Sequence, residues 1–140
     1  MFTTTGKNIL IIDDDEDITN LFQTFLEYDG YKVNASTDPI DALYSFRKNV
    51  YDLALIDLKM PKMNGLILSQ KLKNIDPVLL FCYITADKEY IQNLKNGIPD
   101  IEKIVIYKPI LLSKLRDKIH FLLLSKYQAE EIENKLLMIM

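Results

Sequence analysis

Five polar side chains follow short apolar runs of the sequence, at places where strands would end. Asp13 and Asp14 come after the first such run, Asp57 after a later one, and Thr85 and Lys108 after two more. Each has an ordinary structural explanation when taken singly, because an aspartate or threonine can cap a helix and a lysine can be solvated. Because the same kind of position recurs four times, we favour a cleft that collects three carboxylates, a hydroxyl and an ammonium group.

Three neighbouring carboxylates repel one another unless a cation joins them. Asp13, Asp14 and Asp57 together with Lys108 carry three negative charges and one positive charge, a net −2 that one divalent ion cancels. Oxygen ligands without histidine or cysteine favour Mg²⁺, or Mn²⁺ in its place, over zinc. A carboxylate can also act as a nucleophile toward a phosphoryl group, whose oxygens the metal, lysine and hydroxyl would stabilise. The pattern therefore predicts phosphoryl chemistry.

Apolar and amphipathic runs alternate along the chain and predict five strands and five helices. The predicted strands are 9–12, 31–35, 53–56, 78–84 and 104–107, and the predicted helices are 15–28, 39–49, 66–74, 88–95 and from 111 onward. This alternation predicts an α/β fold, a doubly wound five-stranded parallel sheet with helices on both faces. Ligands of such sheets bind at the carboxyl ends of the strands, where the five polar side chains lie.

Composition restricts the class of protein. The 140 residues correspond to about one domain, and 49% hydrophobic with 26% charged residues is typical of a soluble globular chain. A net charge of −3 argues against a nucleic-acid partner. The one cysteine, Cys82, is predicted to be a core residue, and a chain without disulfides suits a reducing compartment. With no signal peptide and no apolar run near the roughly 20 residues of a membrane span, we expect a cytoplasmic protein without membrane insertion.

The motifs together resemble the receiver domain of response regulators in two-component phosphorelay systems. The resemblance covers roughly residues 8–124 and rests on residues 9–14, residues 57–65, Thr85-Ala86 and Lys108-Pro109, in this order. Each motif is weak alone, but the ordered set is highly specific. The resemblance implies a flavodoxin-like fold with strand order 2-1-3-4-5. It also implies a signalling switch that catalyses only its own phosphorylation and dephosphorylation and is otherwise not an enzyme.

The resemblance implies a role for each residue of the phosphoryl site. Asp57 is expected to accept the phosphoryl group from a histidine kinase or a histidine phosphotransfer protein. Lys108 is expected to contact that group, and the Thr85 hydroxyl to move toward it. The peptide bond between Lys108 and Pro109 resembles one that is commonly cis in this family.

The same resemblance implies how Mg²⁺ is held. Asp14 is expected to bind the ion directly, and Asp13 to engage it partly through water. Asp57 and the backbone carbonyl of Lys59 are the other expected protein ligands. Mn²⁺ is expected to substitute for Mg²⁺.

The family switches through the face formed by the fourth helix, fifth strand and fifth helix. An aromatic residue three positions before the lysine usually follows the threonine, but this chain has Val105 there. Tyr107 directly precedes Lys108, and we expect it on the other side of the strand. The threonine movement remains available, so phosphorylation is expected to change partner binding at this face.

Two charged residues are expected to control how long the phosphoryl group persists. Lys59 lies two residues after Asp57, and Asp87 lies two residues after Thr85. In this family such positions flank the path of the hydrolytic water. Because their charges are opposite, we expect them to pair across the opening and slow self-dephosphorylation.

The predicted receiver domain spans residues 1–125, and residues 126–140 form a helical extension or tail. Ala129, Ile132, Leu136 and Ile139 have helical spacing. The extension is either a continuation of the fifth helix with a fraying end or a projecting amphipathic helix that binds a partner or a second copy. A homodimer would use this helix or the switching face, and the expected output of a stand-alone receiver is binding to a protein target that the sequence does not identify.

Two other functions compete with the phosphorylated switch. The chain could be a receiver-like interaction module that works without phosphate, but the complete set of acidic residues, threonine and lysine argues against it. A haloacid-dehalogenase-like phosphatase would need a second aspartate two residues after its nucleophile. Lys59 occupies that place after Asp57, and the spacing around Asp13 and Asp15 fits but leaves the rest of the pocket unexplained.

Overall fold

The computed structural model describes residues 2–140, and its centre is one parallel sheet. The strands are β1 (Asn8–Ile12), β2 (Lys32–Ser36), β3 (Leu53–Asp57), β4 (Leu80–Thr85) and β5 (Val105–Tyr107). They are ordered β2-β1-β3-β4-β5, and every neighbouring pair is parallel. The predicted fold class and strand order are therefore confirmed. β1 and β3 are almost entirely buried, as their solidly apolar sequences predict.

Helices cover both faces of the sheet. They are α1 (Glu16–Tyr28), α2 (Pro39–Ser45), α3 (Gly65–Ile75), α4 (Lys88–Leu94) and α5 (Leu112–Ile139). Successive strand residues alternate between two cores, because strand side chains point to opposite faces. Ile9 and Ile11 pack with α1 and α5, whereas Leu10 and Ile12 pack with α2, α3 and α4.

Three observed helix or strand boundaries differ from the predicted ones, and each difference has a local structural cause. β4 begins at Leu80, not at 78, because a turn at Asp76 precedes it and its carboxylate accepts the amide of Val78 at 3.3 Å. α2 ends at Ser45, not at 49, because Phe46 is already extended and Asn49 has φ 65°. β5 is shorter because a 3-10 turn occupies residues 101–104.

The expected orientation of Tyr107 is wrong. Val105 and Tyr107 both pack against the core that contains α4, and Ile106 between them packs against the opposite core. Residues two apart in a strand share a face, so an aromatic at position 107 points to the same side as Val105. Tyr107 is therefore on the side of the sheet that faces α4, with the ammonium of Lys88 5.5 Å from its ring centre.

The fifth helix is continuous for 28 residues and crosses the predicted boundary at residue 125 without a break. Leu115, Ile119 and Leu123 bury its first half against the sheet, whereas every residue from 128 to 140 is exposed. Whether 126–140 is a separate unit stays a prediction. Within residues 2–140, no helix is both long enough and apolar enough to cross a membrane.

Candidate functional site

Three carboxylates meet at the carboxyl end of the sheet. Asp13 and Asp14 follow β1 directly, and Asp57 is the last residue of β3, the strand beside it. One oxygen of each carboxylate lies within 4.8 Å of the others. Asp13 and Asp57 are buried and Asp14 is exposed. The structure therefore brings the predicted acidic residues together, with one side of the cluster open to solvent.

The two oxygens of Asp13 have different partners. Its Oδ1 accepts the backbone amide of Asp15 at 3.0 Å. Its Oδ2 is buried and has no hydrogen-bond partner among residues 2–140, although the Lys108 ammonium lies 3.1 Å away. This oxygen therefore has an ion-pair partner but keeps capacity for a further ligand, and oxygen-preferring cations use such carboxylates. The all-oxygen donor set of Asp13, Asp14 and Asp57 fits Mg²⁺.

Lys108 joins two of the carboxylates. Its Nζ lies 3.1 Å from Oδ2 of Asp13 and 3.3 Å from Oδ2 of Asp57. Burial lowers the pKa of Lys108, but Asp13 and Asp57 outweigh that effect, so the pKa is raised and the side chain stays charged. The peptide bond from Lys108 to Pro109 is cis.

Asp57 is held in an unfavourable place for a negative charge. Burial and the nearby charge of Asp13 raise the pKa of its carboxyl to about 6, although Lys108 and the backbone amide of Lys59 act in the opposite direction. That amide donates to Oδ1 of Asp57 at 3.2 Å. A buried carboxylate with one lysine, two acidic neighbours and a raised pKa is typical of a functional site.

Thr85, the last residue of β4, borders a cavity at the same end of the sheet. The cavity has a volume of about 430 Å³ and is lined by residues that include Asp57, Thr85 and Lys108. The Thr85 side chain is 2% exposed, and its hydroxyl oxygen accepts the backbone amide of Asp87 at 3.1 Å. All of the residues predicted for catalysis and metal binding are therefore collected at one end of the sheet.

An ion pair borders the same cavity on its solvent side. Nζ of Lys59 lies 2.5 Å from Oδ2 of Asp87, and it also lies 5.1 Å from the centre of the Tyr90 ring. The other oxygen of Asp87 caps α4 by accepting the amide of Tyr90 at 2.9 Å. The hydrogen bond from Lys59 lowers the pKa of Asp87 and raises that of Lys59 itself, so both groups are charged.

Comparison with known proteins identifies the family. A family model described as the response regulator receiver domain matches residues 9–120. The chain belongs to this family. Receiver domains of two-component systems are phosphorylation-dependent signalling switches and not classical enzymes. They take phosphoryl groups from histidine kinases, pass the signal to downstream targets and bind Mg²⁺ at an acidic pocket.

Relatives and solved structures agree with this assignment. The receiver domain is 33% identical over 131 residues to the response regulator SaeR of Staphylococcus aureus, covering 90% of this chain but only 55% of the length of that protein. A CheY-like receiver domain protein from Methanospirillum hungatei is 26% identical and covers 89% of this chain and 99% of that one, with a TM-score of 0.73. The response regulator TrrA of Thermotoga maritima, solved in complex with Mg²⁺-BeF, is 25% identical and covers 83% and 98%, with a TM-score of 0.69.

Two contacts of this receiver domain were not anticipated from the sequence. Gly65 begins α3 so close to β3 that a Cβ there would collide with the carbonyl oxygen of Asp57 and lie 2.9 Å from Cα of Leu58. Lys62 forms an ion pair with Asp38, which also caps α2. Gly65 was visible as a glycine in a loop after a strand, a position that often requires close backbone approach. No sequence spacing links Lys62 to Asp38.

Proposed function

We propose that Asp57 is the residue of this chain that accepts the phosphoryl group. The proposal is supported by the position of the Asp57 carboxylate, which is buried, lies 3.3 Å from the Lys108 ammonium and is beside Asp13 and Asp14. The donor is a histidine kinase or a histidine phosphotransfer protein. A carboxylate oxygen of Asp57 forms the bond to phosphorus as the bond from phosphorus to the donor imidazole breaks. Lys108 stabilises the charge on the phosphoryl oxygens.

In this proposal the metal is held by the carboxylates of Asp13, Asp14 and Asp57 and by the backbone carbonyl of Lys59, and Mn²⁺ can replace Mg²⁺. When bound, the ion neutralises charge on the phosphoryl oxygens. The grouping of the three carboxylates, and the absence of a hydrogen bond to Oδ2 of Asp13 among residues 2–140, support this assignment. The exposed Asp14 lies on the side of the cluster from which an ion and a donor arrive.

The switch in this proposal is the hydroxyl of Thr85. Phosphorylation adds roughly −1.5 to −2 charges to Asp57. The Thr85 hydroxyl uses only its oxygen in the bond to Asp87, so its proton is free to bind a phosphoryl oxygen. Movement of Thr85 carries the loop before α4 with it, because Asp87 is both the partner of Thr85 and the N-cap of that helix.

The proposed output surface is the face formed by α4, β5 and α5, where a downstream protein binds. A cavity of about 440 Å³ lies there, bordered by residues that include Lys88, Tyr107, Leu111 and Lys114. Val105 is buried beneath this face and has no ring to reorient. The output therefore depends on the displacement of α4 and its Lys88–Tyr107 contact, not on rotation of an aromatic at position 105.

Intact-mass measurement after incubation with phosphoramidate and Mg²⁺ tests the acceptor. We expect a labile gain of one phosphoryl group that is lost in the Asp57→Asn variant and in EDTA. Asp41→Asn, an exposed aspartate of α2, is the matched control and should gain the group like the unmodified chain. A folded chain that gains no phosphoryl group would instead be a phosphate-independent interaction module, and retention of the group by Asp57→Asn would assign another acceptor.

A further inference from the structure

One stripe, running from Leu111 at the N-cap of α5 to the end of the helix, is exposed except at the half-buried Lys118. Its members recur every three or four residues and therefore lie on one side of the helix. Its apolar members are at least half exposed, from 54% at Leu136 to 82% at Ile139. This outer stripe consists of Leu111, Lys114, Lys118, Phe121, Ser125, Ala129, Ile132, Leu136 and Ile139.

The distal half of the outer stripe has nothing to pack against within residues 2–140. Every residue from 128 to 140 is exposed, and Ile132, Leu136 and Ile139 point their apolar side chains to solvent. A helical segment of this length is marginal in water unless its apolar face is covered. Contiguous exposed apolar surface of this kind marks an interaction site.

The two halves of α5 carry opposite charge. Residues 111–124 contain three basic residues and one acidic residue, a net +2, counting His120 as neutral. Residues 125–140 contain two basic and three acidic residues, a net −1. The proximal half of one copy therefore complements the distal half of another copy when the two helices run in opposite directions.

We propose that two copies of this chain associate by antiparallel pairing of their outer stripes, with Ser125 of one copy facing Ser125 of the other. In this register, Phe121 faces Ala129 of the second copy, and Leu111 faces Ile139. A serine at the crossing point is small enough for the two helix backbones to approach closely. The association has two-fold symmetry, so each contact occurs twice and the interface closes on itself.

Charged residues on the stripe and beside it fix the direction of pairing. The antiparallel register places Lys118 beside Glu133 of the second copy, and Asp117 beside Lys135. A parallel, in-register pairing would instead separate Lys118 from Glu133, and Asp117 from Lys135, by more than about 20 Å along the helix axis, so neither ion pair could form. Charge complementarity of this kind selects orientation more than it adds affinity. Among residues 2–140, Lys118 donates one hydrogen bond, to the carbonyl oxygen of Lys103 at 3.1 Å, and its remaining ammonium protons are available to an exposed glutamate.

Cysteine cross-linking of the unphosphorylated chain tests the register separately from phosphoryl transfer. The native Cys82 is fully buried, with its thiol pKa raised to about 12, so it does not compete. We expect Ser125→Cys to form a disulfide-linked dimer. Ala129→Cys alone should not, because antiparallel pairing separates the two copies of residue 129 by about 12 Å along the axis. A mixture of Phe121→Cys and Ala129→Cys should cross-link.

Sedimentation equilibrium of charge variants supplies a second readout. Lys118→Glu or Glu133→Lys alone should weaken dimerisation at least roughly fivefold, and the double variant should restore it. Lys32→Glu, an exposed charge reversal on β2, is the control and should leave dimerisation unchanged. Cross-linking of Ala129→Cys alone, failure of the double variant to recover, or a monomer at roughly 100 µM unmodified chain would overturn the proposal.

Discussion

Replacing Asp57 by asparagine should stabilise the metal-free protein, although it removes the proposed phosphate acceptor. Burial and the charge of Asp13 raise the pKa of Asp57 to about 6 in the folded chain, from 3.8 for an unperturbed aspartate. At neutral pH the folded state must therefore hold a carboxylate that is more favourably solvated when the chain is unfolded. Asparagine keeps the shape of the side chain without the charge, and Lys108 keeps Asp13 as its partner.

The pKa shift sets the size of the effect. A rise of about two units corresponds to roughly 3 kcal/mol at a pH well above 6, at 1.36 kcal/mol per unit. The pKa of about 6 already includes the favourable contact with Lys108, so we expect a gain in the free energy of unfolding of about 2–3 kcal/mol. For a domain of this size, that gain raises the melting temperature by roughly 4–12 °C.

The pH dependence gives the sign of the effect. The folded-state pKa of Asp57 lies above its unfolded value, so the folded protein binds more protons between about pH 4 and 6. The unfavourable contribution of the carboxylate is consequently absent near pH 4 and complete above pH 6. Urea denaturation in EDTA at several pH values should show the two proteins converging as the pH falls. Glu130→Gln, an exposed residue of α5, is the charge-matched control and should change stability by less than about 0.5 kcal/mol.

Equal stability of the Asp57→Asn variant and the unmodified chain in EDTA at pH 7.5 would refute this reasoning. A stability difference that stays constant from pH 4 to 8 would also refute it, because the cause would then not be ionisation of Asp57. Addition of Mg²⁺ should stabilise the unmodified chain more than the variant, since binding to the folded state alone adds to its stability.

Three further outcomes are expected. Lys59→Ala and Asp87→Ala should each hasten loss of the phosphoryl group several-fold, because loss of the ion pair opens the site to water. Intact-mass measurements over time follow the decay, and an unchanged decay rate in both variants would contradict this. Gly65→Ala should cost roughly 2–4 kcal/mol in urea denaturation, because its Cβ collides with the β3 backbone; a cost below about 0.5 kcal/mol would contradict the contact. The buried Cys82 thiol should react with a thiol reagent only at the rate of unfolding, and fast reaction in the native protein would contradict its burial.

The fold could be predicted from the sequence because the apolar runs that need cover on both faces alternate with amphipathic runs that can supply it. Solidly apolar runs such as residues 53–56 favour covered strands, and the intervening amphipathic runs provide the cover. The predicted start of α2 at residue 39 agrees with the structure, because Asp38 accepts backbone amides of the first turn and Pro39 occupies its first position. The cluster of Asp13, Asp14 and Asp57 follows from parallel strands, because their carboxyl ends share one edge.

The orientation of Tyr107 could have been predicted correctly, because strand alternation places residues 105 and 107 on one face. Contacts that depend on the paths of loops could not be predicted from the sequence. The approach of Gly65 to Asp57 and the pairing of Lys62 with Asp38 depend on how loops return to the sheet, which no periodicity encodes. The pKa of Asp57 depends on its burial and on the distance to its neighbours, so it required the packed structure.

Because α5 is continuous, a small tilt of its anchored half displaces its far end by a larger distance. The helix is anchored through Leu115, Ile119 and Leu123, and Ile139 lies about 24 Å beyond Leu123 along the helix axis. A tilt of only 10° at the anchor therefore moves the tip by about 4 Å. A change too small to alter the packing of the sheet becomes, at Ile139, a shift large enough to break or make a contact.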